Sequence, residues 1–93
     1  MSSLPEVSIK PSGKVLSVME GEALYLLCKV SGDEELESVK WSRRSTPSVL
    51  SDNVVLKLTK VKVEDTGVYE CSVKTKHGQN KAIVSVVVQR KFL

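Results

Sequence analysis

Five runs of this chain alternate apolar and other residues with a period of two, and that pattern restricts the fold more than any other feature. In "ALYLLCKV" (23–30), Leu24, Leu26, Cys28 and Val30 fall on one face, with Tyr25, Leu27 and Lys29 opposite. "VKW" (39–41) places Val39 and Trp41 together, away from Lys40. "NVVLKLTKV" (53–61) aligns Val54, Leu56 and Leu58, and "VYECSVK" (68–74) aligns Tyr69, Cys71 and Val73. "AIVSVVVQ" (82–89) aligns Ala82, Val84, Val86 and Val88. Alternation rich in β-branched residues is the signature of a half-buried strand. Turn residues separate the runs, at Pro11-Ser12-Gly13, Glu20-Gly21-Glu22, Ser31-Gly32-Asp33, Ser51-Asp52-Asn53 and His77-Gly78. The last reads as a hairpin tip. "KVEDTG" (62–67) has room for one helical turn and nothing longer. Short strands with turns at this spacing imply an all-β, two-sheet sandwich.

Ninety-three residues supply one core. Met1-Ser2-Ser3 looks like an expression start, leaving 4–93 as the domain. Fourteen basic and 11 acidic residues give a formal net charge of +3, too mild to identify a partner. No apolar run reaches membrane-spanning length, so no membrane insertion by this domain is expected. Two cysteines and one histidine, His77, lie in no ligand-like spacing, so neither metal nor cofactor is expected. One buried disulfide and two buried free thiols are both open readings of Cys28 and Cys71.

The spacing of the polar and aromatic residues makes the chain recognisable. Cys28 is followed by Trp41 and then by "DTGVYEC" (65–71), an Asp-x-Gly-x-Tyr-x-Cys string. This order resembles the immunoglobulin superfamily, whose sandwich sets a cysteine on strand B, a tryptophan on strand C, and a tyrosine two residues before the strand F cysteine. The resemblance covers roughly residues 5 to 89. Among subtypes the chain looks most like the I-set, through "VMEGEALYLLC" (18–28) and "LKLTKVKVED" (56–65). It implies an immunoglobulin-like Greek-key β-sandwich with a Cys28–Cys71 disulfide and Trp41 packed against it. Leu56, Leu58 and Val61 become core positions. Tyr69 would return its hydroxyl to the backbone across the EF corner, and Gly67 would adopt a backbone shape that a β-carbon hinders. Pro11-Ser12-Gly13 would mark the crossing of strand A between sheets. Fourteen residues separate Trp41 from Leu56, fewer than in I-set domains. Strand C′ is therefore expected to be absent or vestigial and strand D short. The basic residue that often pairs with the family's aspartate is missing from "STPSVLSDN" (45–53). Arg43 or Arg44 could serve Asp65 instead, or Asp65 could simply cap the EF turn.

No catalytic role is expected. A nucleophilic cysteine needs a base in reach, and His77 lies on the loop beyond strand F while Cys71 points into the core. What remains is surface. "DEELE" (33–37) and "KTKHGQNK" (74–81) would share the end formed by the BC and FG loops. Lys40, Arg43, Arg44, Lys74, Lys76 and Lys81 make the outer CFG face a candidate contact for a protein partner, homophilic or a neighbouring domain, or for a sulfated polysaccharide. Few aromatics and low net charge argue against nucleic acid. The resemblance implies a recognition or adhesion module of a cell-surface receptor or adhesion protein. The alternative is a spacer module of an intracellular muscle or cytoskeletal immunoglobulin-repeat protein, in the sarcomere or cytoskeleton.

Overall fold

A computed structural model describes residues 4–31 and 36–91. Eight strands run in chain order: β1 (Val7–Lys10), β2 (Val15–Met19), β3 (Leu24–Val30), β4 (Ser38–Arg43), β5 (Thr46–Ser51), β6 (Val55–Leu58), β7 (Gly67–Thr75) and β8 (Gly78–Gln89). A single 3₁₀ turn, Val63–Asp65, joins β6 to β7. The strands form two sheets, ordered β1-β3-β6 and β2-β8-β7-β4-β5. All pairings are antiparallel except β2 with β8. This is the immunoglobulin-like sandwich, with β1 and β2 as strands A and A′, and β3, β4, β6, β7 and β8 as B, C, E, F and G.

Alternation places the core where the period-two runs require it. Leu26, Cys28, Trp41, Leu56, Val61, Tyr69, Cys71, Val73, Val84, Val86 and Val88 are buried, and Leu58 packs partly exposed against them. Cys28 and Cys71 are bonded, tying β3 of one sheet to β7 of the other. Trp41 pairs with Cys71 in register and is fully buried. Its indole Nε1–H donates to the Val54 carbonyl at 3.0 Å. That same oxygen accepts the Cys28 N–H at 2.7 Å. One carbonyl thus uses two lone pairs to join β3 and β4, which lie in opposite sheets.

Three expectations need correcting. Strand C′ is present: β5 pairs with β4 across register shifts at Trp41/Ser42 and Ser42/Arg43. Strand D is the one missing among the described residues, because the short interval after Trp41 is used by a tight turn at Arg44-Ser45 and by β5. The hairpin between β7 and β8 turns on Lys76-His77, one residue earlier than read. Thr75 and Gly78 form its first rung, and Gly78 takes a φ of +131° open to glycine. Pro11-Ser12-Gly13 does lie between β1 in one sheet and β2 in the other. Of the acidic run, 33–35 lies outside the described residues, as does Met1-Ser2-Ser3.

Candidate functional site

The densest cluster of polar groups surrounds "EDTGVYEC" (64–71). Tyr69 is buried at the start of β7, and its hydroxyl donates to the Asp65 carbonyl at 2.6 Å. Burial, chiefly, raises its phenol above the ordinary value of 10.0, with Arg43 opposing and Asp65 assisting. The hydroxyl therefore stays protonated and able to donate. Asp65 Oδ2 accepts the Lys62 N–H at 2.8 Å, while the Asp65 N–H returns to the Lys62 carbonyl at 2.8 Å. The carboxylate closes the 3₁₀ turn on itself. Thr66 Oγ1 accepts the Val88 N–H at 2.9 Å, fastening the turn to β8.

The sequence suggests surface contacts or the Asp65 carboxylate for Arg43. Its Nη2 instead donates to the Glu64 and Thr66 carbonyls, at 2.5 Å each. The guanidinium carbon stands 5.8 Å from the Tyr69 ring centroid, a cation–π distance. Nε is buried and lacks a hydrogen-bond partner among the described residues. Gly67 explains the approach. A β-carbon there would meet Arg43 Nε at 2.9 Å, and no left-handed φ is involved. Gly67 is required by a neighbour rather than by its own backbone, which corrects the expectation. The cluster is a joint: its acid, hydroxyl and phenol are all engaged with backbone groups. Tyr69→Phe is expected to lower the unfolding free energy by about 1 kcal/mol, read by urea titration, because the Asp65 carbonyl loses its donor. An unchanged midpoint would mean that the corner contributes nothing.

With Arg43 held in the fold, the exposed chemistry lies on the outer face of β4, β7 and β8. Register sets Lys40, Ser72 and Lys81 in one row, and Ser38, Lys74 and Gln79 in the next. Lys40, Lys74 and Lys81 are exposed, and Lys81 Nζ lies 3.7 Å from Glu70 Oε1. Two adjoining shallow clefts are cut here, lined by Glu70, Ser72, Asn80 and Lys81, and by Ser38, Lys40, Lys74 and Gln79. Lys76 sits on the hairpin turn and Arg44 on the β4–β5 turn, away from these rows. Ile83, 51 % exposed, and Val87 continue the face toward β2 as apolar ground. Among the described residues no group of three or more metal-ligating side chains occurs.

Comparison with known proteins places the chain. A family model described as Immunoglobulin domain matches residues 5–75. Rat vascular cell adhesion protein 1 is 33 % identical over 89 residues, covering 92 % of this chain and 12 % of that protein. Human sialic acid-binding Ig-like lectin 12 is 31 % identical over 84 residues, 87 % of this chain and 14 % of that protein. Human myomesin-2 is 30 % identical over 86 residues, 82 % of this chain and 6 % of that protein. The chain thus spans a small part of each relative's length. Among solved structures, the four N-terminal domains of Dscam1 isoform 4.44 align with a TM-score of 0.78 at 22 % identity, over 94 % of this chain and 21 % of that one.

Proposed function

Because the chain belongs to the immunoglobulin-domain family, we propose that it acts as a non-catalytic recognition module of a longer cell-surface adhesion or receptor protein. The observation that carries this reading is the outer face of β4, β7 and β8. It offers two rows of polar and basic side chains on a rigid sheet, beside exposed apolar residues. Such a surface suits docking of a protein partner: charge steers the encounter and apolar ground stabilises the contact. The name of one relative, vascular cell adhesion protein 1, supports adhesion as the setting. The Cys28–Cys71 disulfide supports an extracellular location, since such bonds persist in oxidising compartments. The likeness to myomesin-2 keeps an intracellular spacer as the second reading. A sulfated polysaccharide is less well served than the sequence implied, because Arg43 is held by the EF turn and Lys81 faces Glu70.

The test is adhesion of cells to beads coated with the folded chain. Reversing Lys40 and Lys74 together to glutamate is expected to weaken adhesion about tenfold, by like-charge repulsion and loss of steering. Unchanged adhesion would remove this face, and absent adhesion with either chain would favour the spacer.

A further inference from the structure

The sandwich has four edge strands, β1, β6, β2 and β5, and three of them carry features that discourage pairing with another chain. β1 ends in Lys10 before Pro11, β6 carries Lys57, and β5 contains Pro47 and pairs irregularly with β4. Charge, proline and irregular register are the ordinary guards of a sheet edge. β2, "VLSVM", has none of them.

Its outward edge can be read from its inward bonds. The Lys14 carbonyl accepts from Ser85 N–H and the Glu20 N–H donates to the Gln89 carbonyl, so residues of even number point their backbone groups at β8. Val15, Ser17 and Met19 therefore point theirs away from the sheet. Of these groups the Met19 carbonyl also accepts the Glu22 N–H at 3.0 Å, leaving a second lone pair. Leu16 and Val18 face inward and pack partly buried against the core, while Val15, Ser17 and Met19 are exposed.

The segment is also self-complementary. About Ser17, antiparallel pairing with an identical segment sets Ser17 against Ser17, Leu16 against Val18, Val15 against Met19 and Lys14 against Glu20. Every apolar residue meets an apolar one, and each lysine meets a glutamate. Ser17 lies among the outward-bonding residues, so the central pair would exchange both N–H···O bonds, as would each Val15–Met19 pair. Val15 is 59 % exposed and Met19 37 % exposed, so the contact has apolar surface to cover.

We propose that β2 is a self-association edge, through which two copies of this chain pair antiparallel about Ser17 and join their five-stranded sheets. The contact lies on a sheet edge, apart from the lysine rows of β4, β7 and β8, so it stands or falls independently of the recognition face. The expected result in sedimentation equilibrium is a reversible monomer–dimer system, with the Ser17 amide gaining hydrogen-exchange protection as concentration rises. Ser17→Pro removes an outward N–H while leaving the β8 ladder intact, and is expected to weaken dimerisation at least tenfold. Glu20→Lys is expected to weaken it several-fold by facing Lys14 with a second cation, and Lys14→Glu combined with Glu20→Lys to restore it. If Ser17→Pro fails to fold, the charge exchange decides. A monomer up to about 1 mM, or a dimer indifferent to the charge exchange, would overturn the assignment.

Discussion

Replacing Cys28 and Cys71 together by alanine is expected to lower the unfolding free energy by about 4 kcal/mol. The bonded residues are 43 apart in sequence, and the chain-entropy model assigns that much to the closed loop. Both cysteines are buried and register places Cys71 beside Trp41, so the loss comes with looser packing at the centre of the core. Domains of this size are stable by about 5–15 kcal/mol, so the variant would be marginal at body temperature. Urea unfolding monitored by Trp41 fluorescence would read the change. The slope should also steepen, because an unlinked chain exposes more surface on unfolding. A loss below about 1 kcal/mol would mean that the unfolded chain is compact without the link. The same comparison bears on compartment. In a reducing cytosol the parent protein would have to fold without this contribution, and native thiols at both positions would favour the spacer reading.

Gly67→Ala is expected to cost about 2 kcal/mol, within the range for overpacking. The new methyl would lie 2.9 Å from Arg43 Nε and 3.3 Å from Nη2. Relief requires moving the guanidinium, and movement breaks its bonds to the Glu64 and Thr66 carbonyls. Those are charge-assisted bonds, stronger than neutral ones. A double-mutant cycle isolates the cause. Where Arg43 is already alanine, Gly67→Ala should be close to neutral, because the space is empty and the chain gains stiffness. An equal cost in both backgrounds would show that the backbone, and not Arg43, demands the glycine.

These two sites differ in how much of them could be read from sequence. The alternation of Leu26, Cys28, Trp41, Tyr69 and Val84 announces itself because burial repeats every second residue. The disulfide and the tyrosine corner follow a spacing that resembles a known family. Arg43 announces nothing. Its partners are main-chain carbonyls 21 and 23 residues away, and any residue type supplies a carbonyl. Only the fold could bring the end of β4 under the EF turn. β5 escaped for a related reason: Val49 and Leu50 are adjacent and both exposed, so "TPSVLS" shows no inward–outward rhythm. Thr75 is of a type that suggests surface. It is buried at the end of β7, with Oγ1 accepting the His77 N–H at 3.1 Å across the turn.

The proposed recognition face and the proposed β2 edge belong to one five-stranded sheet, yet would depend on different chemistry. The proposed face would work through side chains, and single charges would tune it. The edge works through backbone groups that every residue but proline possesses, and its specificity comes from the order of five side chains and two flanking charges. A homologous module could lose one property and keep the other.

The parallel pairing of β2 with β8 also has a mechanical meaning. The chain runs up one strand near its beginning and up its neighbour near its end, in the same direction. Tension applied to the flanks of the module would slide these two strands past each other lengthwise. The rungs between Val15–Met19 and Ser85–Gln89 would then be loaded side by side, and none could yield without its neighbours. In a row of such modules under load, this short ladder would act as the lock that keeps each one closed.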